Sequence, residues 1–161
     1  MTNIPWTSLL TATAFVDLAV IVISKFFPLT KALGTWYAEF GVVAVASDIL
    51  IIVLGIALAM LVSPGISGWN LVALAVLIQV IHDILFYVGV ILPIPSGHNK
   101  IIDLFKRYAA EGSWKIIVAD SAMVVSSVLL MEYLENNLPA DVTRFLGVLA
   151  VYSLLYIIYT K

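Results

Sequence analysis

The sequence predicts an all-α fold, namely a polytopic transmembrane bundle of five helices with a short amphipathic cytoplasmic helix between the third and fourth spans. Hydrophobic residues make up 63% of the 161 residues and charged residues only 11%, against about 25% charged in soluble domains. Apolar runs recur at the length of about 20 residues that a helix needs to cross about 30 Å of hydrocarbon. Together these observations predict a single integral membrane domain covering residues 1–161, with the lipid bilayer as its principal partner.

The five predicted spans cover residues 5–27, 36–62, 69–92, 114–134 and 142–159. Helix breakers occupy the separators between them: Pro28 and Gly34, then Ser63, Pro64, Gly65 and Gly68, then Pro93, Pro95 and Gly97, then Asn136, Asn137 and Pro139. Between Asn99 and Glu111, apolar residues recur at helical spacing opposite charged ones, which predicts the amphipathic helix. No internal repeat is evident, so the sequence does not support an inverted-repeat transporter.

Charge and tryptophan positions predict how the bundle is oriented. Every tryptophan stands at the start of a predicted span, where an indole favours the headgroup boundary: Trp6, Trp36, Trp69 and Trp114. An odd number of spans places seven of the eight basic residues on one side: Lys25, Lys31, Lys100, Lys106, Arg107, Lys115 and Lys161. Only Arg144 lies on the other side. The positive-inside rule therefore predicts a non-cytoplasmic N-terminus and a cytoplasmic C-terminus.

Composition also excludes some classes of function. The chain has no cysteine, so disulfides, thiolate metal sites and thiol redox chemistry are excluded. The formal net charge is −2, and without a basic excess no nucleic-acid partner is predicted.

Ionisable side chains inside the predicted spans are the main functional signal. Asp17, Asp48, Asp83 and Asp120 belong to four different spans, and counting about 1.5 Å per residue places them within roughly 10 Å of one another in depth. Charges at mid-bilayer are costly and usually face a bundle interior or an aqueous cavity. The candidate polar site adds side chains on the same helix faces and reads in full Asp17, Asp48, Gln79, His82, Asp83, Tyr87, Asp120 and Ser127.

Four carboxylates at one depth cannot all ionise without a compensating charge, so shared protons or a bound cation are expected. A divalent metal ion is one option, with ligand candidates Asp48, His82, Asp83 and Asp120, and no other cofactor is predicted. The plainer alternative is that these groups are interhelical hydrogen-bonding glue, with His82 bonded to an acid and the aspartates held by hydroxyls or by the Gln79 amide.

Three functions remain open from these residues. The first is proton-linked or cation transport, in which His82 beside Asp83 handles protons. The second is a membrane-embedded enzyme or binder of a small lipophilic molecule that uses His and Asp acid–base or metal chemistry. The third is a structural or assembly protein, in which the face carrying Gly41 and Gly55 mediates helix contacts or homo-oligomerisation.

Four stretches of the chain carry a resemblance to a known group of proteins: TWYAEFGVVAVASDILIIVLGI, IQVIHDILFY, IIDLFKRYAAEG and KIIVADSAMVV. They resemble uncharacterised multi-span membrane proteins encoded by large DNA viruses of algae and protists, over roughly residues 35–131. The resemblance implies a viral origin and no activity. In length and span number the chain is also similar to the translocator-protein family of five-helix tryptophan-rich sensors, but it lacks their proline-rich and tryptophan-rich signatures.

Overall fold

A computed structural model describes residues 4–27 and 29–160, so the predicted breaker Pro28 and the basic residue Lys161 lie outside the described residues. The described chain is all-α and contains no strand. Its helices are α1 (Trp6–Phe26), α2 (Lys31–Phe40), α3 (Val42–Val62), α4 (Gly68–Phe86, continued by a π-helical turn over Tyr87–Ile91), α5 (Lys100–Gly112), α6 (Trp114–Asn137) and α7 (Ala140–Ile157).

Five helices are long and apolar enough to cross a membrane, as the sequence predicts: α1, α3, α4 with its π-helical turn, α6 and α7. They contain 18 to 24 residues, and their most apolar stretches have mean hydropathies between 1.5 and 2.7. Helix α1 lies at the centre and packs against α3, α6 and α7, while α4 packs against α3 and α6. Buried aliphatic residues such as Leu9, Ile56 and Val128 fill the space between α1, α3, α4 and α6.

The predicted second span is wrong at its beginning. Residues 36–40 belong to α2, a separate ten-residue helix, and the membrane-length helix starts only at Val42. The break is Gly41, whose backbone has φ 48° and ψ −117°. This region is strongly disfavoured for residues with a side chain. Gly41 is thus a helix break, and the Tyr159 side chain packs closely against it.

Helix α2 packs against α5 across one end of the bundle, and we call these two helices the end layer. The ring centroids of Trp36 and Phe105 are 5.0 Å apart, and the backbone N–H of Ala32 in the first turn of α2 donates to Glu111 Oε2 of α5 at 3.0 Å. The Asn99 side chain caps the start of α5. The predicted amphipathic helix is confirmed as α5, and it has a partner helix that the sequence analysis missed.

Two successive parts of the chain share one organisation, in which a membrane-length helix leads to an end-layer helix, a one-residue break and a second membrane-length helix. The first part is α1, α2 and α3, and the second is α4, α5 and α6. The second break, Ser113, has φ 49° and ψ −133°, close to the values at Gly41. Asp48 is the seventh residue after the first break, and Asp120 is the seventh after the second.

The helix contacts follow the same duplication. Helices α1, α2 and α3 are equivalent to α4, α5 and α6. The contact between α1 and α6 corresponds to that between α4 and α3, and the contact between α1 and α3 corresponds to that between α4 and α6. The equivalent helices α2 and α5 contact each other. Equivalent helices run in the same direction, so the two parts are parallel repeats and not inverted ones. The sequence shows no evident internal repeat, and the duplication appears only in the order and contacts of the helices.

The two breaks predict opposite mutational effects. Gly41→Ala should lower the free energy of unfolding by about 1–3 kcal/mol, because alanine must adopt a strained backbone conformation. Ser113→Gly should raise it by up to about 1 kcal/mol, because glycine relieves the strain and the Ser113 side chain makes no capping hydrogen bond that would be lost. Chemical unfolding in detergent micelles measures both. Gly34→Ala, within α2 and with open space around it, is the control and should not destabilise.

Candidate functional site

Asp48 of α3 is held by the end layer. The Trp36 indole N–H donates to both carboxylate oxygens at 3.2 and 3.1 Å, and the Tyr37 hydroxyl donates to Oδ2 at 2.9 Å. Both donors belong to α2, which the break at Gly41 folds back beside α3. Hydrogen bonds to a charged acceptor are stronger than those between neutral groups, so this contact fixes α2 against α3.

Asp17 of α1, unlike Asp48, is buried without hydrogen bonds to the described residues. Its side chain has 0% exposure, and neither carboxyl oxygen has a hydrogen-bond partner among the described residues. The neighbouring titratable groups are Asp48 and Tyr37, whose hydroxyl lies near the Asp17 carboxyl group. A buried polar group without a partner costs about 1–3 kcal/mol, and more when it is charged. Packing gives no reason to keep a carboxyl group here.

Tyr37 connects these two acids. Burial raises the pKa of its hydroxyl above the usual range, and the nearby carboxyl groups of Asp48 and Asp17 raise that pKa further. The hydroxyl therefore stays neutral and keeps its proton available as a donor. A hydroxyl has one donor hydrogen and two acceptor lone pairs, so Tyr37 can donate to one acid while accepting from the other.

Asp83 of α4 is held within its own helix. Gln79 Nε2 donates to Asp83 Oδ1 at 2.7 Å, and His82 Nδ1 lies 3.2 Å from the same oxygen. The second oxygen, Oδ2, is buried without a partner. The His82 ring stacks on Phe86 with a centroid separation of 5.7 Å, and its side chain is 40% exposed. These bonds are those that the hydrogen-bonding glue interpretation expects for this pair.

Asp120 of α6 lies beneath the other end-layer helix. Burial raises the pKa of the Tyr108 hydroxyl of α5, and the carboxyl groups of Asp120, Asp48 and Asp83 raise it further. The Tyr108 hydroxyl therefore lies within electrostatic range of acids from three membrane-length helices. We call Asp17, Asp48, Asp83 and Asp120 the acid cluster. Tyr37 lies near Asp17 and Asp48. Tyr108 lies near Asp48, Asp83 and Asp120.

The remaining predicted site residues are less clearly connected to the acid cluster. Tyr87 starts the π-helical turn and is 39% exposed. Ser127 of α6 is fully buried, and its hydroxyl has no partner within the described chain. Two other hydroxyls of α1 bond to carbonyl oxygens of their own helix, Thr13 to that of Leu9 and Ser24 to that of Ile21.

Sequence reasoning missed three aromatic residues of the site. Trp36, interpreted as an interfacial anchor, is only 5% exposed and bonds to Asp48, so that prediction is wrong. Tyr37 lay at the edge of a predicted span and Tyr108 on the apolar face of the amphipathic helix, and neither was assigned to the site. The available signal was the spacing of an aromatic residue five positions before each helix break, Trp36 before Gly41 and Tyr108 before Ser113.

Three or more potential metal-ligating side chains do not come together anywhere in residues 4–27 and 29–160. The predicted ligands Asp48, His82, Asp83 and Asp120 do not share one coordination point. In addition, both oxygens of Asp48 already accept hydrogen atoms from Trp36 and Tyr37, and the indole N–H can only donate.

The fold and site define an all-α protein with five membrane-length helices and an acid cluster beneath an end layer. No protein-family model, no curated protein and no solved structure matches the chain.

The placement of the tryptophans can be tested by quenching of fluorescence. Trp6, Trp69 and Trp114 are 51%, 72% and 66% exposed, whereas Trp36 is enclosed by protein. In variants that each retain a single tryptophan, lipids brominated along their acyl chains or near the headgroup should quench these three and leave Trp36 emission nearly unchanged. Strong quenching of Trp36 in bilayers would contradict its burial against Asp48.

Proposed function

We propose that this chain is an integral membrane protein that moves protons or another small cation through its acid cluster. The observation that carries the proposal is the approach of carboxyl groups from α1, α3, α4 and α6 to two tyrosine hydroxyls, Tyr37 and Tyr108, beneath the end layer. Ionisable groups inside membrane helices are costly, and they occur mainly along ion paths and proton relays.

The apolar outer surface supports a position within lipid. Large hydrophobic side chains remain exposed along the membrane-length helices, for example Leu54, Leu61, Leu85, Val118 and Val148. Contiguous apolar surface on this scale is rare on soluble monomers. A bilayer covers it without requiring further burial.

Side-chain exposure differs across the acid cluster and suggests an order for ion movement. His82 and Asp83 are partly exposed, with side-chain exposures of 40% and 21%. Asp120 and Asp48 follow beside Tyr108, and Asp17 beside Tyr37 is fully enclosed. An ion entering at His82 would therefore move from partly exposed carboxyl groups toward the enclosed carboxyl group of Asp17.

A structural role is the second candidate, because two of the acids are well bonded. Asp48 accepts from Trp36 and Tyr37, and Asp83 accepts from Gln79. Such bonds between helices and within them are those of a stabilising element. They do not account for Asp17, which is buried without any bond. No described contact favours the membrane-enzyme alternative, and the resemblance to viral membrane proteins stays a prediction.

The proposed function predicts loss of flux when the accessible acids are neutralised. In liposomes containing the purified protein, with a pH-sensitive dye or a cation indicator inside and an imposed membrane potential, Asp83→Asn and Asp120→Asn should reduce flux roughly 100-fold, the lower end of what a positioned proton-transfer group contributes. Asp141→Asn, which changes an exposed acid paired only with Arg144, is the matched control and should leave flux unchanged. Unchanged flux in both cluster variants, or no flux in the wild type, would contradict the transport proposal and favour the structural role.

The orientation also has a direct test. We propose that the end layer faces the cytoplasm, because the described basic residues other than Arg144 lie at that end of the helices. The chain has no cysteine, so single cysteines can be introduced without background. An impermeant thiol reagent should label Ser96→Cys, before α5, only from the cytoplasmic side and Asn136→Cys, at the end of α6, only from the opposite side. The reverse pattern would contradict the orientation.

A further inference from the structure

We propose that Asp17, Tyr37 and Asp48 form an exchangeable proton-binding site, in which one proton is held by Asp17 and can pass through Tyr37 to Asp48. This inference rests on the proposed function and deepens it by naming the ion and the residue that holds it. The carboxyl group of Asp17 is fully buried, and neither of its oxygens has a hydrogen-bond partner among the described residues. This observation is independent of the number of acids present.

The surroundings of Asp17 restrict what can compensate its charge. The titratable groups beside it are Tyr37 from α2 and Asp48 from α3, and the described parts of α6 and α7, which also pack against α1, bring none. No basic side chain is among these neighbours. An ionised carboxylate so placed would have no donor, no counter-ion and no water-exposed surface, which is the most costly state of a buried charge.

The same surroundings fit a proton better than a metal ion. The nearest second carboxylate is Asp48, and hydrogen atoms of Trp36 and Tyr37 already point at its oxygens at 2.9 to 3.2 Å. A metal ion bridging the two acids would face these hydrogens, and the indole N–H has no lone pair to offer in exchange. Hard cations also require several oxygen ligands. A proton needs only one acceptor, and the Tyr37 oxygen beside Asp17 can supply it.

Transfer through Tyr37 conserves every proton. The O–H bond of the protonated Asp17 breaks and a new O–H bond forms on the Tyr37 oxygen, while the original Tyr37 O–H bond breaks and its proton forms an O–H bond on Asp48 Oδ2. The electron pair of each broken bond stays on the oxygen that loses the proton. Asp17 ends as a carboxylate, Tyr37 is again a neutral hydroxyl, and Asp48 ends as a carboxylic acid. Trp36 positions Asp48 for this exchange and does not itself carry the proton.

Infrared spectroscopy tests proton occupancy without any flux measurement. At neutral pH the purified protein should show a carbonyl stretching band of a protonated carboxyl group that shifts in D₂O. Asp17→Asn should remove a component of that band, and Tyr37→Phe should shift it because the hydroxyl oxygen proposed to accept the Asp17 proton is lost. Glu39→Gln, an exposed acid on the same helix as Tyr37, is the control and should leave the band as in the wild type. An Asp17→Asn spectrum identical to that of the wild type, or a band insensitive to D₂O, would overturn the proposal.

Stability separates a functional acid from a packing residue. Asp17→Leu keeps the branching of the side chain but removes the unpartnered oxygens, so it should raise the melting temperature in detergent by roughly 2–4 °C or more. The same variant should lose proton flux in liposomes. A lowered melting temperature with a native-like circular dichroism spectrum and unchanged proton flux would show that Asp17 is a structural residue, which contradicts the proposal.

Flux measurements distinguish failure of this inference from failure of the proposed function. If Asp83→Asn and Asp120→Asn abolish flux while Asp17→Asn and Tyr37→Phe leave proton flux unchanged, the acid cluster conducts and the Asp17 site is wrong. If the wild type carries Na⁺ or K⁺ but no protons, the cluster again conducts and the proton assignment is wrong. Loss of proton flux in Asp17→Asn and Tyr37→Phe, together with the infrared result, supports the proposal.

Discussion

The hydrogen bonds that Trp36 and Tyr37 donate to Asp48 determine how this protein organises its interior. They fix α2 against α3, and α2 in turn supports α5 through the Trp36 and Phe105 rings. The end layer built in this way brings Tyr37 and Tyr108 over the acids of the membrane-length helices. Without these bonds, α2 would depend on its packing against α5 and on the bond from Ala32 to Glu111, and ten residues alone form a marginal helix.

The two repeats show how one architecture produces two different environments for an acid. Asp48 and Asp120 hold equivalent positions after equivalent helix breaks, but Asp48 faces Trp36 and Tyr37, whereas Asp120 lies by Tyr108. Their partners on the preceding helices differ as well. Asp83 is bonded to Gln79 and partly exposed, while Asp17 is unbonded and enclosed. This asymmetry leaves one part of the acid cluster partly exposed and the other enclosed.

Proton handling and stability have opposite requirements at Asp17. A bundle selected only for stability would place an aliphatic residue there, because lipid-exposed and internal positions alike favour apolar atoms in a membrane protein. The glue interpretation explains Asp48, whose bonds hold α2 against α3, and Asp83 is bonded within α4. Asp17 requires a different explanation, and the proposed exchangeable proton would supply the one hydrogen atom that the surrounding side chains do not provide.

Hydropathy and helical periodicity along the chain are enough to predict the five membrane-length helices, the amphipathic α5 and the presence of four acids on different helices. Sequence patterns do not separate α2 from α3, because only Glu39 interrupts the run from the aromatic residues of α2 into the apolar residues of α3, and the backbone conformation at Gly41 separates the two helices. The tertiary structure alone decided that Trp36 is buried, that Asp48 is bonded and that Asp17 is not. Such differences depend on which side chains of other helices come within hydrogen-bonding distance, and hydropathy and periodicity within one helix do not specify them.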